Sequence, residues 1–272
     1  MLQYYKRAKR ENVARISALV FFMLAILIPN PIAAQKAPGN PSGRPGTQNT
    51  GTQLPGWTLL FDDEFDGVTL NYSKWSPHAP GKLSLSGLQT WTPEAIAISG
   101  GQAHIVARRT KTGCTSGMIT TFGTFARTYG RFEIRFRIPA GRGLEPLFRL
   151  LPVPDGEIPS VDVMNAIGSD PATALFANRW GDARADRDYT GAYKVDDLST
   201  GFHIVAIEWD EEKIVWLVDG VERFHSFDGV PHQPMYLAVS LAVGTAKAGE
   251  PDEQTKFPAV LDIDYIRVFG RP

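Results

Sequence analysis

The chain has 272 residues, of which 43% are hydrophobic and 21% charged, a balance that is typical of globular proteins and excludes a fibrous or broadly disordered chain. Its 28 Lys and Arg against 29 Asp and Glu give a formal net charge of -1. Because the first 34 residues are net positive, the rest is mildly acidic, which excludes nucleic acid and anionic membranes as expected partners. The one cysteine, Cys114, cannot form an internal disulfide and is expected to be a small buried side chain.

The N-terminal segment, residues 1–34, has the pattern of an export signal. Basic residues precede an apolar run from Ile16 to Ile28, which prolines end, and small residues precede a cleavage site before Gln35. The alternative is an uncleaved membrane anchor, although the run is shorter than the ~18 residues that a membrane span needs. Both alternatives predict a secreted or extracytoplasmic protein, which contacts a membrane only through this segment, if at all.

Residues 35–55 are rich in Gly, Pro, Ser, Thr and Gln and have almost no apolar side chains. Such a segment cannot bury enough surface to fold, so it is predicted to be a flexible linker. The sequence shows no internal repeat. We therefore expect one folded domain over residues 56–272.

This domain is predicted to consist of short β-strands. Residues 131–138 alternate strictly between apolar and charged side chains, which indicates one buried and one polar face. Two further strands are joined by Asp219-Gly220, a pair that favours a tight antiparallel hairpin. No stretch after Ile28 has a sustained helical period, so a two-sheet sandwich or jelly roll is expected. The predicted strands outside residues 144–168 are 57–61, 102–108, 131–138, 203–209, 213–218, 221–227, 235–243 and 261–269.

Residues 144–168 are predicted to form two strands joined by a loop of Pro, Asp and Gly. Because successive side chains in a strand alternate, Ser160 and Asp162 share one face of the second strand. Val161 and Val163 point to the opposite face.

Several motifs in this domain occur together, in the same order, in one known family. They lie at 60–67, 88–93, 115–121, 129–135, 139–144, 202–209, 216–220, 241–244 and 257–269. Through these motifs the chain resembles glycoside hydrolase family 16, the laminarinase and β-glucanase group. The resemblance implies an all-β jelly-roll sandwich of two curved antiparallel sheets (concanavalin A-like), with a sugar-binding cleft on the concave face. It also implies that no cofactor is required.

The family's catalytic strand carries Glu-x-Asp-x-x-Glu, where the first Glu is the nucleophile and the last is the acid/base. Retaining hydrolysis needs both carboxylates, roughly 5 to 5.5 Å apart. The matching residues here are Ser160, Asp162 and Asn165, and a β-bulge before Asn165 is expected to return its side chain to the cleft. Ser160 cannot provide a stable anion and Asn165 cannot provide a proton, so no intact catalytic pair is expected.

The aromatic sugar platforms of the family are also replaced. Glu145, Arg149 and Lys247 stand where the resemblance implies cleft tryptophans. Trp91 and Trp180 remain as candidates for stacking on sugar rings, and a packing role in the core is the alternative for each.

Two functions follow from this pattern. The first is an inactive homologue, a pseudoenzyme that binds a polysaccharide or another envelope or matrix component, or that has a structural role there. The second is an active endo-β-glycanase or transglycosylase in which Glu145 and Asp162 act as displaced acids. In the first case, Arg149 is expected to pair with Glu145 or Asp162 and to fill the cleft.

The resemblance also implies a structural calcium ion on the convex face. Its expected ligands are the carboxylates of Glu64 and Asp264 and the backbone carbonyl of Gly101. The alternative is that these acids only cap the ends of strands.

Overall fold

The computed structural model describes residues 54–77, 87–182 and 185–272, without the side chains of residues 182, 185 and 186. The expected export signal at 1–34 and nearly all of the expected linker at 35–55 lie outside these ranges. Within them, the only helical element is a single 3-10 turn at Pro93–Ala95. No helix in the described ranges is long and apolar enough to cross a membrane.

The described part of the domain is built from sixteen β-strands. In chain order they are β1 (Thr58–Asp63), β2 (Gln89–Trp91), β3 (Ile96–Ser99), β4 (Gln102–Arg109), β5 (Cys114–Ser116), β6 (Met118–Thr120), β7 (Gly130–Arg137), β8 (Leu144–Pro152), β9 (Ser160–Ile167), β10 (Asp170–Asp182), β11 (Ala185–Lys194), β12 (His203–Trp209), β13 (Ile214–Val218), β14 (Val221–Ser226), β15 (Met235–Val243) and β16 (Ala259–Gly270).

These strands form two sheets. One has ten strands in the order β14-β13-β12-β7-β16-β4-β5-β2, with β1 added beside β16 and β3 beside β4. The other has six strands in the order β11-β10-β9-β8-β15-β6. The pairs are antiparallel except for β2 with β5. This arrangement confirms the predicted all-β jelly-roll sandwich.

The core lies between the two sheets and follows from the alternation seen in the sequence. Phe132, Ile134 and Phe136 of β7 are fully buried. They belong to the same apolar cluster as Phe148 of β8 and Val161 of β9, which links the two sheets. Burial of each such side chain contributes roughly 1.5–3 kcal/mol. Cys114 is also buried and unpaired, as expected.

The predicted hairpin between β13 and β14 is confirmed. Asp219 and Gly220 have φ values of 49° and 78°, the two positive angles that a tight hairpin turn of this kind requires. The Asp219 carboxylate also accepts a hydrogen bond from the backbone N–H of Ile204 at 2.8 Å. The turn is therefore tied to the adjacent strand β12.

The sequence did not predict the long hairpin formed by β10 and β11. Both strands mix charged, small and apolar residues without strict alternation, so no single face is evident from the sequence. Pairing with β9 determines which β10 side chains lie beside the catalytic-strand positions.

Candidate functional site

The candidate site lies on the face of the six-stranded sheet that points away from the core, which we call the outer face. Val161 and Val163 point into the core and are fully buried. The neighbouring polar side chains therefore lie on the outer face, as the alternation predicts. The outer-face residues considered below are Glu145 and Arg149 of β8, Ser160, Asp162 and Asn165 of β9, and Arg179 of β10.

A β-bulge shapes the centre of β9. Asn165 pairs with Leu147 of β8, whereas Asp162 pairs with Arg149. Three steps along β9 therefore match two steps along β8, and Val163 is the extra residue. The bulge returns Asn165 to the same face as Asp162, which confirms the prediction made from the motif.

Asp162 is held by two arginines in an arrangement that we call the Arg149–Asp162–Arg179 clamp. Arg149 Nε donates to Asp162 Oδ1 at 2.6 Å, and Arg179 Nη1 forms an ion pair with Oδ2 at 2.8 Å. Only 1% of Asp162 is exposed. Burial alone would raise the pKa of the Asp162 carboxyl, but the two guanidinium groups outweigh this effect and lower it. The carboxylate is therefore kept ionised and cannot act as a proton donor near neutral pH.

The clamp is also supported from inside the sandwich. The indole Nε1 of Trp216, on β13 of the opposite sheet, donates to the backbone carbonyl of Asp162 at 2.9 Å. Trp216 is fully buried. This bond fixes the backbone of β9 at the residue whose side chain the arginines hold.

Glu145 has a separate set of partners. Asn165 Nδ2 donates to Glu145 Oε1 at 2.9 Å, and the hydroxyl of Thr245 donates to Oε2. Lys247 Nζ lies 3.7 Å from Oε1 as a longer ion pair. Among the described residues, no hydrogen bond or ion pair joins Glu145 to Asp162. The two acids proposed as a displaced catalytic pair are thus bound to different neighbours.

The two positions that match the family's catalytic acids are buried. Ser160 is 2% exposed and Asn165 is 1% exposed. A serine hydroxyl and a primary amide thus lie where the family resemblance implies the two carboxyl groups of retaining chemistry. Asn165 Nδ2 is used to bind Glu145, and Asn165 Oδ1 is buried without a hydrogen-bond partner among the described residues.

The two candidate stacking tryptophans differ in position. Trp180 follows Arg179 on β10 and therefore points away from the outer face. Its indole packs on Gly229, where an added Cβ would lie 2.0 Å from the ring. This position fits the packing alternative, and the cleft role of Trp180 stays a prediction. Trp91 is half-buried on β2, opposite Ser116, and its stacking role stays a prediction.

The expected calcium ligands have other partners. Both carboxylate oxygens of Glu64 bind Arg267, at 2.7 and 2.9 Å. Asp264 Oδ2 accepts a bond from Arg135 at 2.5 Å. No group of three or more His, Cys, Asp or Glu within the described ranges could hold a metal ion. As arranged, these residues do not fit a calcium ion, and a site formed with Gly101 stays a prediction that requires Glu64 to leave Arg267.

A cavity of about 520 Å³ lies on the ten-stranded sheet, away from the outer face. Trp57, Tyr129, Glu208 and Arg271 are among its lining residues. The Arg271 guanidinium covers the Trp57 ring at 4.9 Å from the centroid and lies 3.9 Å from Glu208. The cavity shares no residue with the clamp or with the Glu145 cluster.

Sequence reasoning missed two residues of the site, Arg179 and Thr245. Arg179 lies on the unpredicted strand β10, and its approach to Asp162 depends on the register across the β9 bulge. Thr245 lies two residues beyond the end of β15 and reaches Glu145 on the adjacent strand β8. The only sequence signal for Thr245 was its closeness to Lys247, which stands where the resemblance implies a tryptophan.

Comparison with known proteins agrees with this architecture. Endo-1,3-1,4-beta-glycanase ExsH of Rhizobium meliloti is 31% identical over 240 residues, covering 77% of this chain and 51% of that protein. The Beta-glucanase of Rhodothermus marinus is 33% identical over 259 residues, covering 80% and 86%. This chain thus spans about half the length of ExsH. The crystal structure of the laminarinase catalytic domain from Thermotoga maritima superimposes with a TM-score of 0.69 at 30% identity, covering 78% of this chain and 98% of that one.

The sequence profile of the family described as Glycosyl hydrolases family 16 matches residues 86–267. The match contains β8, β9 and β10, the strands that form the clamp. It also contains Thr245 and Lys247, the partners of Glu145. This chain belongs to glycosyl hydrolase family 16.

Proposed function

We propose that this protein is a family 16 member that binds polysaccharide without cleaving it. One observation carries the proposal: Ser160 and Asn165 occupy the positions of the two catalytic acids, and the remaining acid, Asp162, is bound by two arginines. Retaining hydrolysis needs one carboxylate to attack the anomeric carbon and a second group to protonate the leaving oxygen. A serine and an asparagine supply neither function near neutral pH.

The proposed ligand is a β-glucan-type polysaccharide. The names of the similar proteins, an endo-1,3-1,4-beta-glycanase and a beta-glucanase, support this class. Binding needs only the sheet scaffold and side chains that contact sugars, so it can persist when the catalytic acids are absent. A structural role in the envelope or matrix would use the same surface.

We further propose that the protein is exported through residues 1–34. The basic, apolar and small-residue regions of this segment support export, with cleavage before Gln35. Mass spectrometry of the N-terminal peptide of protein recovered outside the cytoplasm tests this. A peptide beginning at Gln35 is expected, and a peptide that retains the apolar run would indicate an anchor.

Binding and cleavage are tested together on the same sample. The purified protein is incubated with insoluble and soluble β-glucans, and both the bound fraction and newly formed reducing ends are measured. We expect retention on the polysaccharide with no increase in reducing ends over a protein-free control. If the protein neither binds nor cleaves any β-glucan or β-galactan, the proposal of glycan binding is contradicted.

The alternative function is hydrolysis or transglycosylation by displaced acids. Glu145 and Asp162 lie on the same face of adjacent strands, which is the observation in its favour. It requires Arg149 and Arg179 to release Asp162, and Lys247 to leave Glu145. This alternative is established if the protein forms product and if Glu145→Gln or Asp162→Asn abolishes that activity. Glu157→Gln, in the β8–β9 loop, is the control and should leave the activity unchanged.

A further inference from the structure

We infer that the outer face selects an anionic polysaccharide, one with carboxylate or sulfate groups, through the exposed ends of Arg149, Arg179 and Lys247. This inference rests on the proposed function and narrows its ligand class.

The acids of the site are buried and the cations are partly exposed. The side chains of Asp162 and Glu145 are 2% and 9% exposed. Those of Arg149, Arg179 and Lys247 are 18%, 27% and 45% exposed. A ligand that approaches the outer face therefore meets guanidinium and ammonium groups before it meets carboxylates. Three cations therefore lie above these two buried acids.

The cations also have unused hydrogen-bonding capacity. Among the described residues, Arg149 donates a hydrogen bond only through Nε, to Asp162. Its two terminal amino groups remain as a planar fork, the geometry that suits a carboxylate or a sulfate. Lys247 lies 3.7 Å from Glu145, which is too long for a hydrogen bond, so its ammonium can turn toward a ligand.

The alternative is that the arginines serve only to neutralise Asp162. One guanidinium would be enough to balance one carboxylate, yet two approach Asp162 within 2.8 Å. The second arginine adds positive charge beyond what the buried acid requires. In water-exposed surroundings such a charge is available to a ligand, although salt weakens it.

Among the described side chains, Asp188 is an exposed acid that opposes this field. Asp188 of β11 is the direct cross-strand partner of Arg179 and is solvent-exposed. Cross-strand partners share a face, so its carboxylate competes with a ligand anion for Arg179. Removing this charge is therefore expected to strengthen anion binding, a result that a purely structural role of the arginines does not predict.

The test compares laminarin with carboxymethylated laminarin and sulfated laminarin, using the full chain and equilibrium binding at low and high salt. We expect both anionic forms to bind about tenfold more tightly than the neutral form at low salt, and the preference to disappear at high salt. The two anionic arms distinguish carboxylate from sulfate recognition.

Variants locate the effect. Lys247→Gln is expected to reduce binding of the anionic forms by about threefold to tenfold, and Asp188→Asn to increase it. Lys213→Gln, which removes the same charge beside β13 of the other sheet, is the matched control. The triple variant Arg149→Gln/Asp162→Asn/Arg179→Gln, which leaves no buried charge unpaired, is expected to lose the preference.

Equal affinity for neutral and anionic laminarin would overturn the inference while leaving glycan binding intact. The inference would also be overturned if Lys213→Gln and Lys247→Gln reduced the anion preference equally, because the attraction would then be a property of the whole surface. Cleavage of any form would contradict the proposed function without removing an observed anion preference.

Discussion

Substitutions in the Arg149–Asp162–Arg179 clamp test whether it neutralises a truly buried charge. Asp162→Asn removes the carboxylate but leaves two arginines that are partly exposed and can turn toward water. Arg149→Gln/Arg179→Gln instead leaves a carboxylate that is 1% exposed without a countercharge. The second change should therefore cost more stability than the first, although both break the same two contacts.

The expected magnitudes follow from the contacts. Asp162→Asn loses two charge-assisted contacts at 2.6 and 2.8 Å, and partial hydration of the arginines leaves a cost of about 1–3 kcal/mol. The double arginine variant should cost about 3–5 kcal/mol, the range for stranding a buried charge. Adding Asp162→Asn to the double variant should recover much of that loss.

Urea denaturation at neutral pH, followed by tryptophan fluorescence, measures these free energies of unfolding. The double-mutant cycle isolates the interaction between the carboxylate and the arginine pair. If the double arginine variant is less destabilised than Asp162→Asn, the carboxylate is hydrated in solution, and the clamp does not fill this part of the outer face.

Three further results are expected. Folding lowers the pKa of the Asp162 carboxyl, so the stabilisation from the clamp is complete above the unfolded pKa of about 3.9 and is lost as the pH falls through the folded value. Urea denaturation at decreasing pH should therefore show a fall in the free energy of unfolding, and this fall should be smaller in Asp162→Asn. Ser160→Glu/Asn165→Glu should not restore hydrolysis of laminarin in a reducing-end assay, since the clamp remains; release of sugar would show that the two acids alone suffice. Gly229→Ala should destabilise the protein by roughly 1–3 kcal/mol and lower its melting temperature, because φ is +61° at this residue and the new Cβ would meet the Trp180 ring. Gly201→Ala is the control, because open space surrounds Gly201 and its melting temperature should not change.

The sequence was sufficient for the parts of the fold that depend on local alternation and turn chemistry. The period of two at residues 131–138 predicted β7 to within one residue at each end. The positive φ values at Asp219 and Gly220 are those that their residue types favour. The bulge in β9 was expected only from the family resemblance, because simple alternation would place Asn165 and Asp162 on opposite faces.

The arrangement of partners within the site was only partly predictable. Pairing of Arg149 with Asp162 was one of two expected outcomes, since both residues belong to recognised motifs. The second arginine could not be found, because the position of Arg179 depends on the register of β10 against a bulged strand. A shift of one residue would turn its side chain to the opposite face.

Long-range pairing also explains which contacts the local pattern did not reveal. The cleft role of Trp180 was proposed from its residue type, but strand parity relative to Arg179 directs it onto Gly229. The calcium ligands were implied by the family resemblance and stay a prediction, whereas the arginine that binds Glu64 lies 203 residues away in sequence and was not foreseen. Contacts at such separations are set by packing of the whole sandwich rather than by local pattern.

The central claim, that this family 16 scaffold does not cleave its ligand, is tested most directly by mass spectrometry. A laminarin hexasaccharide is incubated for a long period with a stoichiometric amount of protein, so that even very slow turnover becomes visible. The account predicts that only the intact hexasaccharide is recovered. Shorter fragments or longer transfer products that disappear with Glu145→Gln or Asp162→Asn would contradict it.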